Sequence, residues 1–298
     1  MKLYFAGCAR DCADVVASNI ATLLTLGENT WCDEIKVFVA ENSSKDNTRE
    51  IISELAEQDD RVIPVFLEDL DKAIPIREAR IAFCRDRLLA EIIRDVSDGL
   101  YVPIDLDLDI ASSLEADSFL EACQLVASGR ASGIFPSSSP YYYDIHALRD
   151  REWSPDSAWK EINNAKAWGY FWTQLVYIRY VSSRQKPHAR LQAKGLIPID
   201  SAFGGVGIYS LSQVLNSGAR YSSSELEQEE LNFCEHVVFN RFLDRLFINS
   251  AWVIAAPPEH IEFRVLPAYR KAWRITRAGL GDVKRQAKKI LLLVNFLF

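Results

Sequence analysis

The chain reads as an α/β protein with a mostly parallel central sheet flanked by helices. Short apolar runs alternate with amphipathic stretches from residue 3 to about residue 110, which is the signature of repeated strand–helix–strand units. At 298 residues the chain is long enough to bury a large core, as one elaborated domain or two small ones. Hydrophobic residues at 49% and charged residues at 25% are globular values, which excludes wholesale disorder.

The elements follow in order. Leu3–Ala6 reads as a first strand and Ala13–Leu26 as the helix after it. Ile35–Ala40 is a second strand, and Thr48–Glu57 a helix that Asn47 and Glu50 could open as a capping box. Val62–Leu67 is a third strand. Glu78–Asp95 carries Ile81, Leu88, Leu89 and Ile92 at helical spacing. Leu100–Leu106 is the next strand, Phe119–Ala127 a helix and Ser132–Pro136 strand-like. Residues 137–195, rich in Tyr and Trp, have no clear period. Ile197–Tyr209 resembles strand, glycine turn, strand, and Leu226–Leu246 a helix. The division is a body over 1–263 and a tail over 264–298.

The net charge of −7 argues against nucleic acid as a partner. It hides an asymmetry: residues 264–298 hold nine Lys or Arg and one acid, Asp282, leaving the body at −15. Six scattered cysteines without a CxxC pair read as free thiols in a reducing cytosol. The short apolar segment after Met1-Lys2 soon meets Arg10 and Asp11, so no signal peptide or amino-terminal anchor is expected. No apolar stretch is long enough to span a bilayer.

The most informative segment is Tyr101-Val-Pro-Ile-Asp-Leu-Asp-Leu-Asp-Ile110. An apolar strand ends in carboxylates at every second position, Asp105, Asp107 and Asp109. Such crowding is costly unless something positive sits there, and a divalent metal with oxygen ligands is the usual answer. The bland alternative is a charged strand edge that rejects sheet pairing. Strand ends elsewhere supply nucleotide-binding candidates. After the first strand, small residues such as Ala9 let a base or ribose approach, and Arg10 could meet a phosphate. After the second come Glu41 and Asn42; Glu41 could accept from a base or ribose, while Asp46 and Asn47 read as helix caps. Arg77 and Arg80, one turn apart, could grip a diphosphate or simply be solvated.

GCARD, ENSSKDNT, the paired-Arg helix and IDLDLD, taken in order, resemble the GT-A glycosyltransferases. Tyr141-Tyr-Tyr-Asp-Ile-His-Ala-Leu-Arg149, Ile199-Asp-Ser-Ala-Phe-Gly-Gly-Val-Gly-Ile-Tyr209 and Cys234-Glu-His236 are similar to blocks of bacterial enzymes of surface-polysaccharide synthesis. More distantly, they are similar to fungal capsule-associated mannosyltransferases. The resemblance spans about residues 3–256 and implies a GT-A fold. It also implies a nucleoside-diphosphate-sugar donor and a glycan or lipid-linked glycan acceptor. Asp105 and Asp107 then correspond to the Asp-x-Asp pair, with Asp107–Asp109 the alternative register. Asp105 would face the nucleotide or metal, Asp107 would ligate Mn2+ or Mg2+, and His236 would complete the metal site. Gly204 and Gly205 would let backbone amides approach the donor. The aromatic residues Tyr141, Tyr142, Tyr143, Trp153, Trp159, Trp168 and Trp172 divide between core and acceptor groove.

An inverting transfer needs a general base, for which Asp144, Asp200 and Glu235 are the candidates; a retaining one does not. The competing functional classes are a nucleotidyltransferase and a non-catalytic sugar-binding protein of the same fold. The tail interleaves basic residues with Trp273, Ile275 and a final apolar nonapeptide, a composition suited to a peripheral contact with the inner face of the cytoplasmic membrane. A helix packing on the body or on a second subunit, in a homo-oligomer, is the alternative.

Overall fold

A computed structural model describes residues 1–29, 32–109, 111–186, 191, 195–222 and 234–260. The amino-terminal half runs β1 (Lys2–Ala9), α1 (Val16–Asn29), β2 (Glu34–Asn42), α2 (Thr48–Gln58) and β3 (Val62–Leu67). It continues through α3 (Leu70–Ala73), α4 (Arg77–Ile93), β4 (Leu100–Asp105) and α5 (Ala116–Ala127). Then come β5 (Gly133–Ser139), α6 (Ala158–Lys166), α7 (Tyr170–Tyr177), a π-helical turn (Ile178–Ser182) and β6 (Leu196–Ile199). The described chain closes with β7 (Ile208–Ser210), α8 (Leu211–Ser217), α9 (Glu235–Asn240) and β8 (Leu246–Ala255).

The strands form one sheet in the order β3-β2-β1-β4-β7-β5-β8-β6. β7 lies antiparallel to both β4 and β5, and β6 antiparallel to β8; the other pairings are parallel. The expected α/β class with a mostly parallel sheet flanked by helices is therefore the class observed. Both sheet faces are covered, and strand alternation divides the core between them. Leu3, Phe5, Val37, Val39, Val102 and Ile104 pack with α1, α2 and α5. Tyr4, Ala6, Phe38, Ala40 and Tyr101 pack with α4 and α9 on the other side. Phe119 of α5 lies fully buried against Phe5 and Trp252, at centroid separations of 6.0 and 5.9 Å. Phe119→Ala is expected to cost about 3–5 kcal/mol in urea unfolding.

Ile197–Tyr209 supplies the expected strand, glycine turn and strand as β6 and β7, and β5 and β8 separate those two strands in the sheet. Two expectations need correction. Residues 226–233 of the expected helix 226–246 lie outside the described residues; of the rest, only Glu235–Asn240 is helical and Leu246 opens β8. That strand hides in the sequence because Asn249-Ser250-Ala251 interrupts its apolar run. The structure accommodates the interruption as a register shift against Pro136 and Ser137. At α2, Asn47 makes no side-chain cap bond. Asp46 Oδ1 instead accepts from the Thr48 N–H and Oγ1 at 3.1 and 2.6 Å, and its Oδ2 accepts from the Ala13 N–H at 3.0 Å.

Among the described residues no helix is long and apolar enough to cross a membrane. The basic tail lies outside the described residues.

Candidate functional site

Parallel register brings the expected nucleotide residues to one edge of the sheet. Cys8 of β1 is level with Asp105 of β4, and the next residue, Ala9, is level with Glu41 of β2. Parallel strands gather ligands at this carboxyl edge. The loops after β1 and β2 are stitched together there. Asp11 Oδ1 accepts from the Lys45 N–H at 2.6 Å, and Ser44 Oγ accepts from the Asp11 N–H at 3.1 Å.

Glu41 is fully buried. Its Oε1 accepts from the Ser44 N–H at 2.6 Å, while Oε2 has no hydrogen-bond partner and stands 3.6 Å from Arg49 Nη1. Asn42 Oδ1 is likewise buried without a hydrogen-bond partner. Two unsatisfied acceptors at a strand end suit a ligand that brings its own N–H or O–H donors.

Arg10 and Arg80 meet on one acid. Arg10 donates through Nη1 and Nη2 to the two oxygens of Asp71 at 2.8 and 2.6 Å, and Arg80 Nε lies 3.0 Å from Asp71 Oδ1. Arg80 Nη1 also donates to the Ile74 and Pro75 carbonyls at 2.9 and 2.8 Å. Arg77 is exposed at the start of α4. The pair expected to clamp a diphosphate is thus not a pair: Arg80 is tied to α3 and its flanking loop, and Arg77 points to solvent.

A third arginine of the same helix takes the central position. Arg85 is buried at 3% exposure, with Nη2 donating to Asp105 Oδ1 at 2.7 Å and Nε to Glu235 Oε1 at 3.3 Å. Its Nη1 has no partner. The guanidinium lies 5.0 Å from the ring centroid of Phe203 and 5.9 Å from that of Tyr221. The sequence holds a signal for it: Ala82, Arg85, Leu89 and Ile92 recur at helical spacing, and all are buried. A charge inside an apolar stripe is an invitation to look for its partners.

The acids around Arg85 outnumber it. Burial pushes the Asp105 carboxyl up to about 7; Arg85 opposes this, while Asp107 and Glu235 reinforce it. Beyond Asp105 the alternation persists: Leu106 is in the core, and Asp107 and Asp109 are exposed. Asn19 Nδ2 donates to the Leu106 and Leu108 carbonyls, both at 3.0 Å, and so fixes this acidic turn against α1.

His236 stacks on Phe203 at a centroid separation of 3.5 Å, and both ring nitrogens lack hydrogen-bond partners. Burial and the Arg85 charge hold its pKa well below the usual imidazole value, so the ring is neutral. The expected metal trio of Asp105, Asp107 and His236 is not assembled. Among the described residues no three His, Cys, Asp or Glu side chains stand together as a metal site. Arg85 occupies Asp105 Oδ1, and His236 is held against an aromatic face. The carboxylate pair alone still fits a hard divalent cation, because one guanidinium leaves the acidic cluster under-neutralised.

The glycine crossover closes the site. Gly204 and Gly205 adopt φ of +68° and +82°, a left-handed pair that a side chain would strain. The Gly205 carbonyl accepts from the Asp105 N–H at 2.9 Å. Asp144 spans this segment and its own loop, Oδ2 accepting from the Gly204 N–H at 2.8 Å and Oδ1 from the Ala147 N–H at 3.1 Å. Burial raises its pKa despite those two donors. Asp200 is exposed, and its backbone N–H donates to the Arg149 carbonyl at 2.9 Å. The structure therefore joins Asp105 to Glu235 through Arg85 and to Asp144 through the Gly204–Gly205 backbone, with Asp107 close by, but leaves the Asp200 side chain outside that network.

No protein-family model matches the chain, and no curated protein matches it. Solved structures do. S. aureus TarS 1-349 is similar at 11% identity and TM-score 0.47, covering 89% of this chain and 63% of that one. A mycobacterial protein matches at 12% identity and TM-score 0.45, over 85% and 65% of the two chains. Glucosyl-3-phosphoglycerate synthase from Mycobacterium tuberculosis matches at 13% identity and TM-score 0.44, over 94% and 80%. The chain spans less than two thirds of the first two structures.

Proposed function

We propose that this chain is a GT-A glycosyltransferase that moves a sugar from a nucleoside-diphosphate donor to a surface-polysaccharide or lipid-linked glycan acceptor. The observation that carries this reading is the buried Arg85 shared by Asp105 and Glu235, with the exposed Asp107 beside it, at the carboxyl edge of the sheet. Asn42 Oδ1, and Glu41 Oε2 beside Arg49, offer buried acceptors without hydrogen-bond partners for the base or ribose, and the Gly204–Gly205 pair lets the backbone approach the sugar. Arg10, held with Arg80 on Asp71, would meet the diphosphate by exchanging that acid for it.

Asp105 and Asp107 would hold a Mn2+ or Mg2+ ion, which when bound draws charge from the departing diphosphate. The remaining work falls to the chain. Arg85 holds Asp105 and Glu235 in fixed positions. In an inverting transfer the acceptor oxygen attacks the anomeric carbon as its bond to the diphosphate oxygen breaks, and the hydroxyl proton passes to a carboxylate. We assign that base to Glu235, which alone of the three candidates contacts Arg85 among the described residues. Asp144, with both oxygens committed to backbone N–H groups, is a positioning residue for the glycine crossover. A mannosyl donor is the first to try. The enzyme would act in the cytoplasm, its tail over 264–298 set against the membrane face as a segment separate from the 1–263 body.

Thermal shift and hydrolysis across a panel of nucleotide sugars with Mn2+ test the reading. Stabilisation by one nucleoside diphosphate and its sugar is expected, and no response to any of them defeats it. Release of pyrophosphate from a nucleoside triphosphate would instead indicate a nucleotidyltransferase. Glu235→Gln is expected to lower kcat by about 10²–10⁴-fold with little change in donor KM. An equal rise in KM would assign Glu235 to binding.

A further inference from the structure

Among the described residues, the hairpin formed by α6 and α7 leaves a concentrated aromatic surface uncovered. Trp168, Trp172 and Tyr170, at 68%, 51% and 49% exposure, are the three most exposed large apolar side chains among the described residues. They cluster at the hairpin tip, where Gly169 makes the turn at φ +106°. α7, with the sequence Tyr-Phe-Trp-Thr-Gln-Leu-Val-Tyr, has no buried residue at all. A helix this apolar normally has a partner along its length.

The surrounding charge identifies that partner. Residues 158–186 hold five Lys or Arg against one acid, Glu161, in a chain whose net charge is −7. Arg184 is engaged by Asp156, while Lys160, Lys166, Arg179 and Lys186 are exposed. We propose that this hairpin is an interfacial docking surface for an anionic lipid bilayer. Trp and Tyr settle at the head-group layer, where an amphipathic ring keeps its polar edge wet, and each nearby Lys or Arg gains from the negative surface. A second copy of the hairpin would bring like charge to like charge. The chain's own tail, with nine basic residues and one acid, would do the same.

The hairpin's placement gives the contact a purpose. His146 packs on Trp159 at 5.3 Å, and Trp159 stacks on Tyr177 at 6.2 Å. Gln185 Nε2 donates to the Tyr143 and His260 carbonyls, both at 3.1 Å. The hairpin is thereby fastened to the loop that carries Asp144. Docking here would hold the site close to the bilayer. The inference rests on the hairpin alone and not on the transfer chemistry.

The test is co-sedimentation of the full chain with phosphatidylglycerol–phosphatidylcholine vesicles and with phosphatidylcholine vesicles at low salt. The wild type is expected to pellet with the anionic vesicles and to blue-shift its tryptophan emission. The variant Trp168→Ser/Tyr170→Ser/Trp172→Ser should bind roughly tenfold more weakly. Lys160→Glu/Lys166→Glu/Arg179→Glu should lose the preference for anionic lipid. The substituted residues are exposed, so near-ultraviolet circular dichroism should be preserved except for the lost rings. Equal pelleting of wild type and the aromatic variant overturns the proposal and assigns binding to the tail. Failure of the wild type to pellet, or a dimer that only the aromatic variant disrupts, also overturns it. A chain that shifts with a nucleotide sugar but ignores vesicles loses this inference while keeping its proposed chemistry.

Discussion

Arg85→Met is expected to destabilise the fold by about 3–5 kcal/mol and to abolish transfer. The guanidinium is buried between Asp105 and Glu235, and its removal leaves two acids facing each other with no cation between them. Arg85→Lys keeps the charge but lacks the planar fork that reaches both carboxylates, so partial stability with strongly reduced activity should result. Urea unfolding separates the structural from the chemical loss. Pairing Arg85→Met with Glu235→Gln should restore part of the stability, since one of the stranded charges is gone, without restoring turnover. An unchanged unfolding midpoint in Arg85→Met would show that the acids do not depend on this guanidinium.

The same residue marks where sequence reading succeeds and where it stops. Strands β1 to β4 were legible because covered strands are apolar runs with helices between them, and parallel register then placed Ala9, Glu41 and Asp105 at one edge. The carboxyl-terminal half was less legible because its order is set by long-range pairing. β6 and β7 are close in sequence but separated by two strands in space, and a bulge breaks the apolar run of β8. Within the site, residue type identified candidates but could not choose among them. Arg77 and Arg80 look as apt as Arg85 until the helix face is known, and only Arg85 faces the acids. Asp144 and Asp200 look as basic as Glu235 until their partners are known. The two Asp144 oxygens hold backbone N–H groups, and Asp200 lies in solvent.

Asp107→Asn should lower turnover by roughly 10³-fold, the scale of losing a group that helps stabilise charge on a departing phosphate. Stability should move by less than about 0.5 kcal/mol, because the side chain is exposed and Asn keeps its shape. That combination makes Asp107 a cleaner probe than Asp105, whose replacement also disturbs the ion pair with Arg85. Asp109→Asn, equally exposed, is the control for register and should retain near-full activity. Reversal of the two results would move the metal-holding pair one step along the chain to Asp107–Asp109. Mn2+ titration followed by thermal shift gives an independent readout: stabilisation by the ion in the presence of a nucleoside diphosphate should be present in the wild type and absent in Asp107→Asn. If both aspartates can be replaced without loss, the carboxylates serve only to keep this edge soluble, and the charge on the leaving group must be met by the arginines alone.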